Sequence, residues 1–302
     1  MTVDALAEAG RVTPRPLDRG DAEAFCAPRT LDVLIPTRNR PAELAATLSG
    51  LAGQPESFGV VICDQSDDGP SWRHPAVAGL VRVLRRQDRP VLLCERPERL
   101  GLAENRAHLL ASSQARYVLF VDDDIWLEPG SVGRMLDAIQ TLGCGMVGSF
   151  PHGLSYLDDH RPEQESPYEE WAGPPEPERI WPRGPQWNRS LVHAAANLLH
   201  VTDRLGLGPD EWRAYKVAWI GACVMFDRRR LLDSGGYDFW PEVPSDHVGE
   251  DVLVQLRVLD RYGGAGIVPS GAYHLESPTT VPHRAVECYD VVPVHEPQRL
   301  PG

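Results

Sequence analysis

The sequence predicts an α/β fold built on a doubly wound, mostly parallel sheet. Three observations carry this. Four short apolar runs, residues 31–35, 58–63, 91–95 and 117–121, alternate with helical patterns across short connections, the βαβ order of a parallel sheet. The second and fourth runs stop on acidic loops, at Asp64 and at Asp122. In a parallel sheet those ends share one edge, where open α/β sheets bind ligands. The 302 residues, 42% hydrophobic and 24% charged, make one large domain or two small ones of ordinary composition.

Taken in order, residues 1–30 mix Ala, Pro and charge without a period and are expected to form a flexible or loosely docked arm. The first strand is Leu31–Ile35. Asn39 is a candidate N-cap for the helix that follows, with Pro41 in its first turn and Leu44, Leu48 and Leu51 on one face. Gly53 ends it. Strands over 58–63 and 91–95 flank a helix within 71–87. A helix over about 101–114 leads into Tyr117–Val121. Ser131 is expected to cap a helix to Leu142, before a strand over 145–150.

Composition then changes. Residues 171–187 contain three tryptophans and five prolines, which excludes a regular helix or a central strand. The tryptophans favour an ordered, ligand-facing insertion over 151–215 rather than a linker. Residues 191–205 are read as a helix, with His193 and His200 on one exposed face. Strand character returns over 216–226. A short helix follows at 228–233, a tight turn at 235–238, a helix at 250–262, and short strands near 267–268 and 272–274. The chain is thus divided into an arm (1–30), one domain (31–275) with a first part (31–150), an insertion (151–215) and a last part (216–275), and a tail (276–302).

The stretch Tyr117–Leu127 organises this plan. Asp122, Asp123 and Asp124 follow a buried strand with no basic residue before Arg134. If the chain stays extended, Asp122 and Asp124 point one way and Asp123 the other. Adjacent carboxylates repel, and burial would protonate one of them. A bound Mg²⁺ or Mn²⁺ removes the problem, since hard cations take oxygen ligands. An EF-hand is excluded by Trp126, Leu127 and Gly133 at positions that need other residues. The alternative is a merely acidic polar loop.

The net charge of −13 argues against a nucleic-acid partner or a polybasic membrane patch. Six scattered cysteines without a CxxC read as reduced thiols of a cytoplasmic protein. There is no signal-peptide pattern, and the longest apolar run, residues 217–226, is too short for a transmembrane segment. A homodimer is left open.

In order and spacing, these motifs resemble family 2 glycosyltransferases of the GT-A fold, over about Leu31 to His274. IPTRNR (35–40) resembles the family's first strand and nucleotide loop, which implies that Pro36, Thr37 and Arg38 line the base and ribose pocket. VVICDQSDDG (60–69) resembles the base-recognising segment. Asp64 matches, and Gln65 stands where a second Asp is usual. GLAENRAHLL (101–110) is similar to the segment G-x-x-x-A-R-N, with Gly101 and Arg106 matching and Asn105 and Ala107 departing. By this match Arg106 sits near the diphosphate or braces the aspartate loop. VDDD (121–124) resembles the DxD motif. Asp122 then lies near the ribose or metal, Asp124 is the direct metal ligand, and Asp123 lies beside the nucleotide-sugar. WIGACVMFDRRRL (219–231) supplies Gly221 and Ala222 as small residues that leave room for the donor sugar. HVGEDVLVQLRV (247–258) matches the G-E-D helix start at Gly249, Glu250 and Asp251. AYHLE (272–276) supplies His274 as a late metal or diphosphate contact.

The resemblance implies a Mn²⁺- or Mg²⁺-dependent transfer of a sugar from a nucleoside-diphosphate sugar to a hydroxyl of a small-molecule or glycan acceptor, with inversion. Asp251 is the expected general base beside Glu250, with Glu250 or His247 as alternatives. Two rival classes stand against this. A sugar-phosphate nucleotidyltransferase would want a glycine-rich loop after the first strand, and residues 36–39 contain no glycine. A non-catalytic carbohydrate- or nucleotide-binding protein on the same fold would have no need of Asp122, Asp124 and Asp251.

Overall fold

The computed structural model describes Phe25 and residues 28–208, 211–281, 284 and 286–295. Nearly all of the expected arm and the end of the tail lie outside these. Strands β1 (Leu31–Thr37), β2 (Gly59–Asp64), β3 (Val91–Glu95) and β4 (Tyr117–Val121) form at the apolar runs. Helices α1 (Pro41–Ala52), α2 (Pro75–Arg86) and α3 (Leu102–Ala111) connect them. Next come β5 (Ile125–Leu127), α4 (Ser131–Leu142), β6 (Met146–Gly148) and β7 (His152–Gly153). The insertion carries α5 (Pro162–Glu165), α6 (Asn197–Leu205) and β8 (Arg213–Tyr215). The remainder is β9 (Cys223–Asp227), α7 (Arg228–Asp233), α8 (Glu250–Tyr262), β10 (Gly264–Val268), β11 (Ala272–His274) and α9 (Cys288–Val291).

An eight-stranded sheet runs β3-β2-β1-β4-β9-β6-β10-β8, and a small sheet runs β5-β11-β7. In the large sheet β1 pairs in parallel with β2 and β4, β2 with β3, and β6 with β10. Strand β9 lies antiparallel between β4 and β6, and β8 is antiparallel at the edge. The α/β class and mostly parallel sheet expected from the sequence are present. Successive strand residues face opposite layers. Leu34, Val61, Val118 and Phe120 pack with α3 and α8, while Val33, Ile35, Val60, Ile62, Leu119 and Val121 pack with α1, α2 and α4.

Several local expectations change. Arg40, not Asn39, is the N-cap of α1; Asn39 adopts φ 57° and exchanges hydrogen bonds with Asp67 at 2.7 and 2.9 Å. Ser131 is the first helical residue of α4 behind Gly130, and its hydroxyl donates to the Glu128 carbonyl at 2.8 Å. The strand expected over 216–226 is regular only from Cys223, because Gly221 and Ala222 fold it back. The helix expected over 191–205 is broken at 194–196, where Ala195 has φ 50°. His193 and His200 therefore share no helical face, and both are buried. His193 Nε2 lies 2.9 Å from the Tyr215 hydroxyl and its ring stacks on Phe150.

Gly266 in β10 is required by close approach. A Cβ there would lie 2.2 Å from Cζ of the buried Tyr215. Gly266→Ala is expected to lower stability in denaturant unfolding by about 1–3 kcal/mol, the usual cost of overpacking. Pairing it with Tyr215→Ala should recover part of that cost in a double-mutant cycle. Additive losses would show that the contact is not the cause.

Candidate active site

The parallel strands end side by side, so Thr37, Gln65 and Asp122 reach one edge of the sheet. A cleft of about 680 Å³ runs along it. The first turns of α3 and α8 open into this cleft, as do Gly221 and Ala222 and the end of β11 at His274. Helix N-termini turned to one cleft favour an anionic ligand.

The three aspartates do not continue the strand, because the chain turns at Asp123 and Asp124. The expected alternation is therefore replaced by a fan. Asp122 keeps a third of its side chain exposed and accepts from Arg106 Nη2 at 2.8 Å. Asp123 is buried and accepts from the Thr37 hydroxyl at 2.7 Å. Burial pushes its carboxyl up to about 7, against the pull of Thr37 and Arg40. Thr47 of α1 fixes the turn, its hydroxyl donating to the Asp123 carbonyl at 2.7 Å and accepting from the Ile125 amide at 3.1 Å. Arg40 Nη1 donates to Asp123 Oδ1 at 3.2 Å and to Asp124 Oδ2 at 2.8 Å, and Nη2 donates to the Pro278 carbonyl. His274 Nε2 faces the same Asp124 Oδ2 at 3.5 Å. The Glu276 amide donates to His274 Nδ1 at 2.7 Å, leaving the ring proton of the neutral imidazole on Nε2.

On the opposite wall, Gly249 takes φ 76° and starts α8 with Glu250 and Asp251. Glu250 is buried and accepts from Arg106 Nε at 3.1 Å. Burial raises its carboxyl pKa, against the pull of Arg106. Asp251 faces the cleft and accepts from the Val252 amide at 2.9 Å. Enclosure, and then the neighbouring Glu250 charge, push its carboxyl up to about 6. His247 lies 2.6 Å from the Pro244 carbonyl through Nδ1, while Nε2 accepts from the Ala103 amide at 3.1 Å. Both nitrogens are thus engaged, and His247 caps α3 rather than presenting a base. Gly101 makes room for it: a Cβ there would lie 2.8 Å from His247 Cε1.

The remaining expected residues divide. Pro36, Thr37, Gln65, Gly221 and Ala222 line the cleft. Arg38 lines it too, but its Nη2 donates to both oxygens of Asp67, at 2.8 and 2.9 Å. Asp64 is turned inward and accepts from the Ser66 and Ser71 amides at 2.7 and 2.5 Å, so it holds the loop that presents Gln65. Ala222 has φ 66°, a left-handed conformation that costs a non-glycine residue roughly 1–2 kcal/mol. Its carbonyl accepts from the Asp122 amide at 2.9 Å, so this strained turn positions the first aspartate.

Sequence reasoning missed Arg40, Glu104 and, on the aromatic wall, Trp219 and Tyr289, while Trp187 is one of the insertion tryptophans expected to face a ligand. Arg40 was in plain view inside IPTRNR, but its reach to Asp123 spans 83 residues. Glu104 accepts from Gln65 Nε2 at 3.3 Å and pairs with Arg96. Trp187 lies 6.4 Å from Trp219 and 5.8 Å from Tyr289 between ring centres.

The chain is similar to solved glycosyltransferase folds. Against S. aureus TarS 1-349 in complex with UDP-GlcNAc the TM-score is 0.51 at 13% identity, covering 84% of this chain and 60% of that one. Against S. aureus TarS it is 0.50 at 15% identity, covering 83% and 37%. Against the mannosyltransferase PcManGT from Pyrobaculum calidifontis in complex with GDP-Man and Mn2+ it is 0.47 at 16% identity, covering 83% and 60%. The chain thus spans 60% or less of the length of these proteins. No curated protein matches it. The family model described as Glycosyl transferase family 2 matches residues 32–190, more than half of the sequence, and the chain belongs to that family.

Proposed function

We propose that this protein is a divalent-cation-dependent glycosyltransferase that moves a sugar from a nucleoside-diphosphate sugar to an acceptor hydroxyl with inversion. The observation that carries this is the pairing across one cleft of Asp251, raised to about 6, with the Asp122–Asp124 fan. A base of that pKa is ionised at neutral pH and close enough to it to accept a proton. The acceptor hydroxyl gives its proton to Asp251 as its oxygen bonds to the anomeric carbon. The bond from that carbon to the diphosphate breaks on the far side, so configuration inverts.

Two carboxylates suit a hard cation, and among the described residues no three His, Cys, Asp or Glu side chains stand as a ready-made metal cluster. Asp124 and Asp122 offer carboxylate oxygens to the cleft, and His274 stands 3.5 Å from Asp124 Oδ2. Asp124 and Asp122 would hold Mn²⁺ or Mg²⁺, with His274 beside them. Bound there, the ion supplies Lewis-acid stabilisation of the departing diphosphate. Thr37, Pro36 and Gln65 border the nucleoside end, and Gly221 and Ala222 leave space for the sugar.

Among the described residues no helix is long and apolar enough to cross a membrane. The five described cysteines are free thiols, which supports a cytoplasmic setting.

Three outcomes test this reading. Asp251→Asn should lower turnover about 10²–10⁴-fold while donor binding by calorimetry stays within a few-fold; near-normal turnover would remove Asp251 as the base. Because the base must be ionised, kcat/KM should rise with pH through about 6 and level off above it. That limb should vanish from the residual activity of Asp251→Asn. Chelation should abolish transfer and Mn²⁺ restore it, with Asp124→Ala beyond rescue; full activity in chelator would end the cation assignment.

A further inference from the structure

Asp124 Oδ2, proposed above as a cation ligand, already has a positive partner within the chain. Arg40 Nη1 donates to it at 2.8 Å, with Asp123 Oδ1 at 3.2 Å as its second acceptor. The guanidinium is held from the other side as well, since Nη2 donates to the Pro278 carbonyl beyond β11. Only 12% of the Arg40 side chain is exposed, and the two carboxylates are more buried still, at 7% and 5%. His274 Nε2, carrying the ring proton, faces the same oxygen.

We propose that Arg40 is a built-in counter-ion at the cation site, and that a divalent ion binds by displacing it from Asp124. Without an ion, two adjacent buried carboxylates repel. Arg40 Nη1 bridges them, so the fan is shaped before ligand arrives. The same contact sets the cation affinity. A divalent ion on Oδ2 meets a positive guanidinium within hydrogen-bonding distance of that oxygen, so it must drive Arg40 away. Arginine cannot yield by losing a proton. Arg40 is thus a positioning residue whose charge weakens cation binding and keeps the site ordered when empty. Displacement also gives up its bond to the Pro278 carbonyl, which couples ion loading to residues 277–281 on the cleft wall.

This rests on the reading of Asp124 as a cation ligand. The test is Mn²⁺ binding to the full chain, followed by the paramagnetic signal of free Mn²⁺ without nucleotide. Arg40→Gln should bind Mn²⁺ on the order of tenfold more tightly, since an opposite charge within about 4–6 Å shifts a carboxylate by 1–3 pKa units. Arg40→Lys, which keeps the charge but has no second nitrogen to hold the Pro278 carbonyl while the first bridges the carboxylates, should fall between Arg40→Gln and the unaltered protein. If Arg40→Gln does not fold, Arg40→Lys still reports the direction. Arg40→Gln should also have a lower Tm in chelator and gain more on adding MnCl₂ than the unaltered protein does. Equal or weaker Mn²⁺ binding by the variants would overturn the competition and leave the cation site standing. No binding of Mn²⁺ by any form, with no rise in Tm on adding MnCl₂ or MgCl₂, would remove the cation site and this inference with it.

Discussion

Arg106 is the constraint on which the two walls of the cleft depend. It rises from α3 with 4% of its side chain exposed, and it donates to Asp122 at the end of β4 and to Glu250 at the start of α8. The second contact joins residues 144 apart. The ring of Phe120 lies 5.7 Å beneath its guanidinium. A buried charge left without a partner costs about 3–5 kcal/mol, so neither carboxylate can drift from Arg106 without that penalty. The distance between the aspartate fan and the Glu250–Asp251 turn is therefore fixed by one side chain. Arg106 leaves Asp251 outside this pair, facing the cleft, where its raised pKa is of use.

The second problem of the site is negative charge. Asp122, Asp123, Asp124, Glu250 and Asp251 all border the cleft of a chain with net charge −13. The fold answers with local donors. Arg106 serves Asp122 and Glu250, Arg40 serves Asp123 and Asp124, and the Thr37 hydroxyl serves Asp123. The helix α8 presents its N-terminal amides to Glu250 and Asp251. Backbone strain contributes too, since the left-handed Ala222 turn anchors the Asp122 amide. Such strain persists where surrounding structure over-determines it. Here Asp122 and β9 hold the turn from either side.

The sequence made the frame legible because apolar runs and helical spacing report local geometry. Strands β1 to β4, the α7 and α8 helices and the shared edge of Asp64 and Asp122 could all be read directly. Contacts between distant segments were not legible. Nothing in IPTRNR says that Arg40 turns to Asp124 while Arg38 turns to Asp67, because the choice depends on where β4 ends. Asp64 sits at the expected strand end, yet the Ser66 and Ser71 amides capture it, a matter of loop geometry without a periodic signal. His193 and His200 were misjudged as exposed because the left-handed Ala195 breaks their helix, and alanine gives no warning of positive φ.

The Pro- and Trp-rich insertion bears on how the acceptor side is held. Prolines forbid regular structure there, so order must come from other contacts. The Trp171 amide donates to the Ala214 carbonyl and the Lys216 amide to that of Glu169, at 2.9 and 2.8 Å, which lays the segment along β8. The Glu178 amide donates to the Leu259 carbonyl of α8 at 2.9 Å, and Arg179 forks onto Asp260 of the same helix at 2.9 and 3.0 Å. Ile180, Val192 and Leu198 are buried beneath these contacts. The insertion is therefore fastened to α8, the helix whose first turn carries Asp251. Trp187, on the far side of those attachments, reaches the cleft beside Trp219 and Tyr289. On the proposed reading of Asp251 as the base, the aromatic wall and that carboxylate are referred to one rigid helix. A ligand seated against Trp187 then meets Asp251 at a distance set by the scaffold rather than by the mobility of a loop.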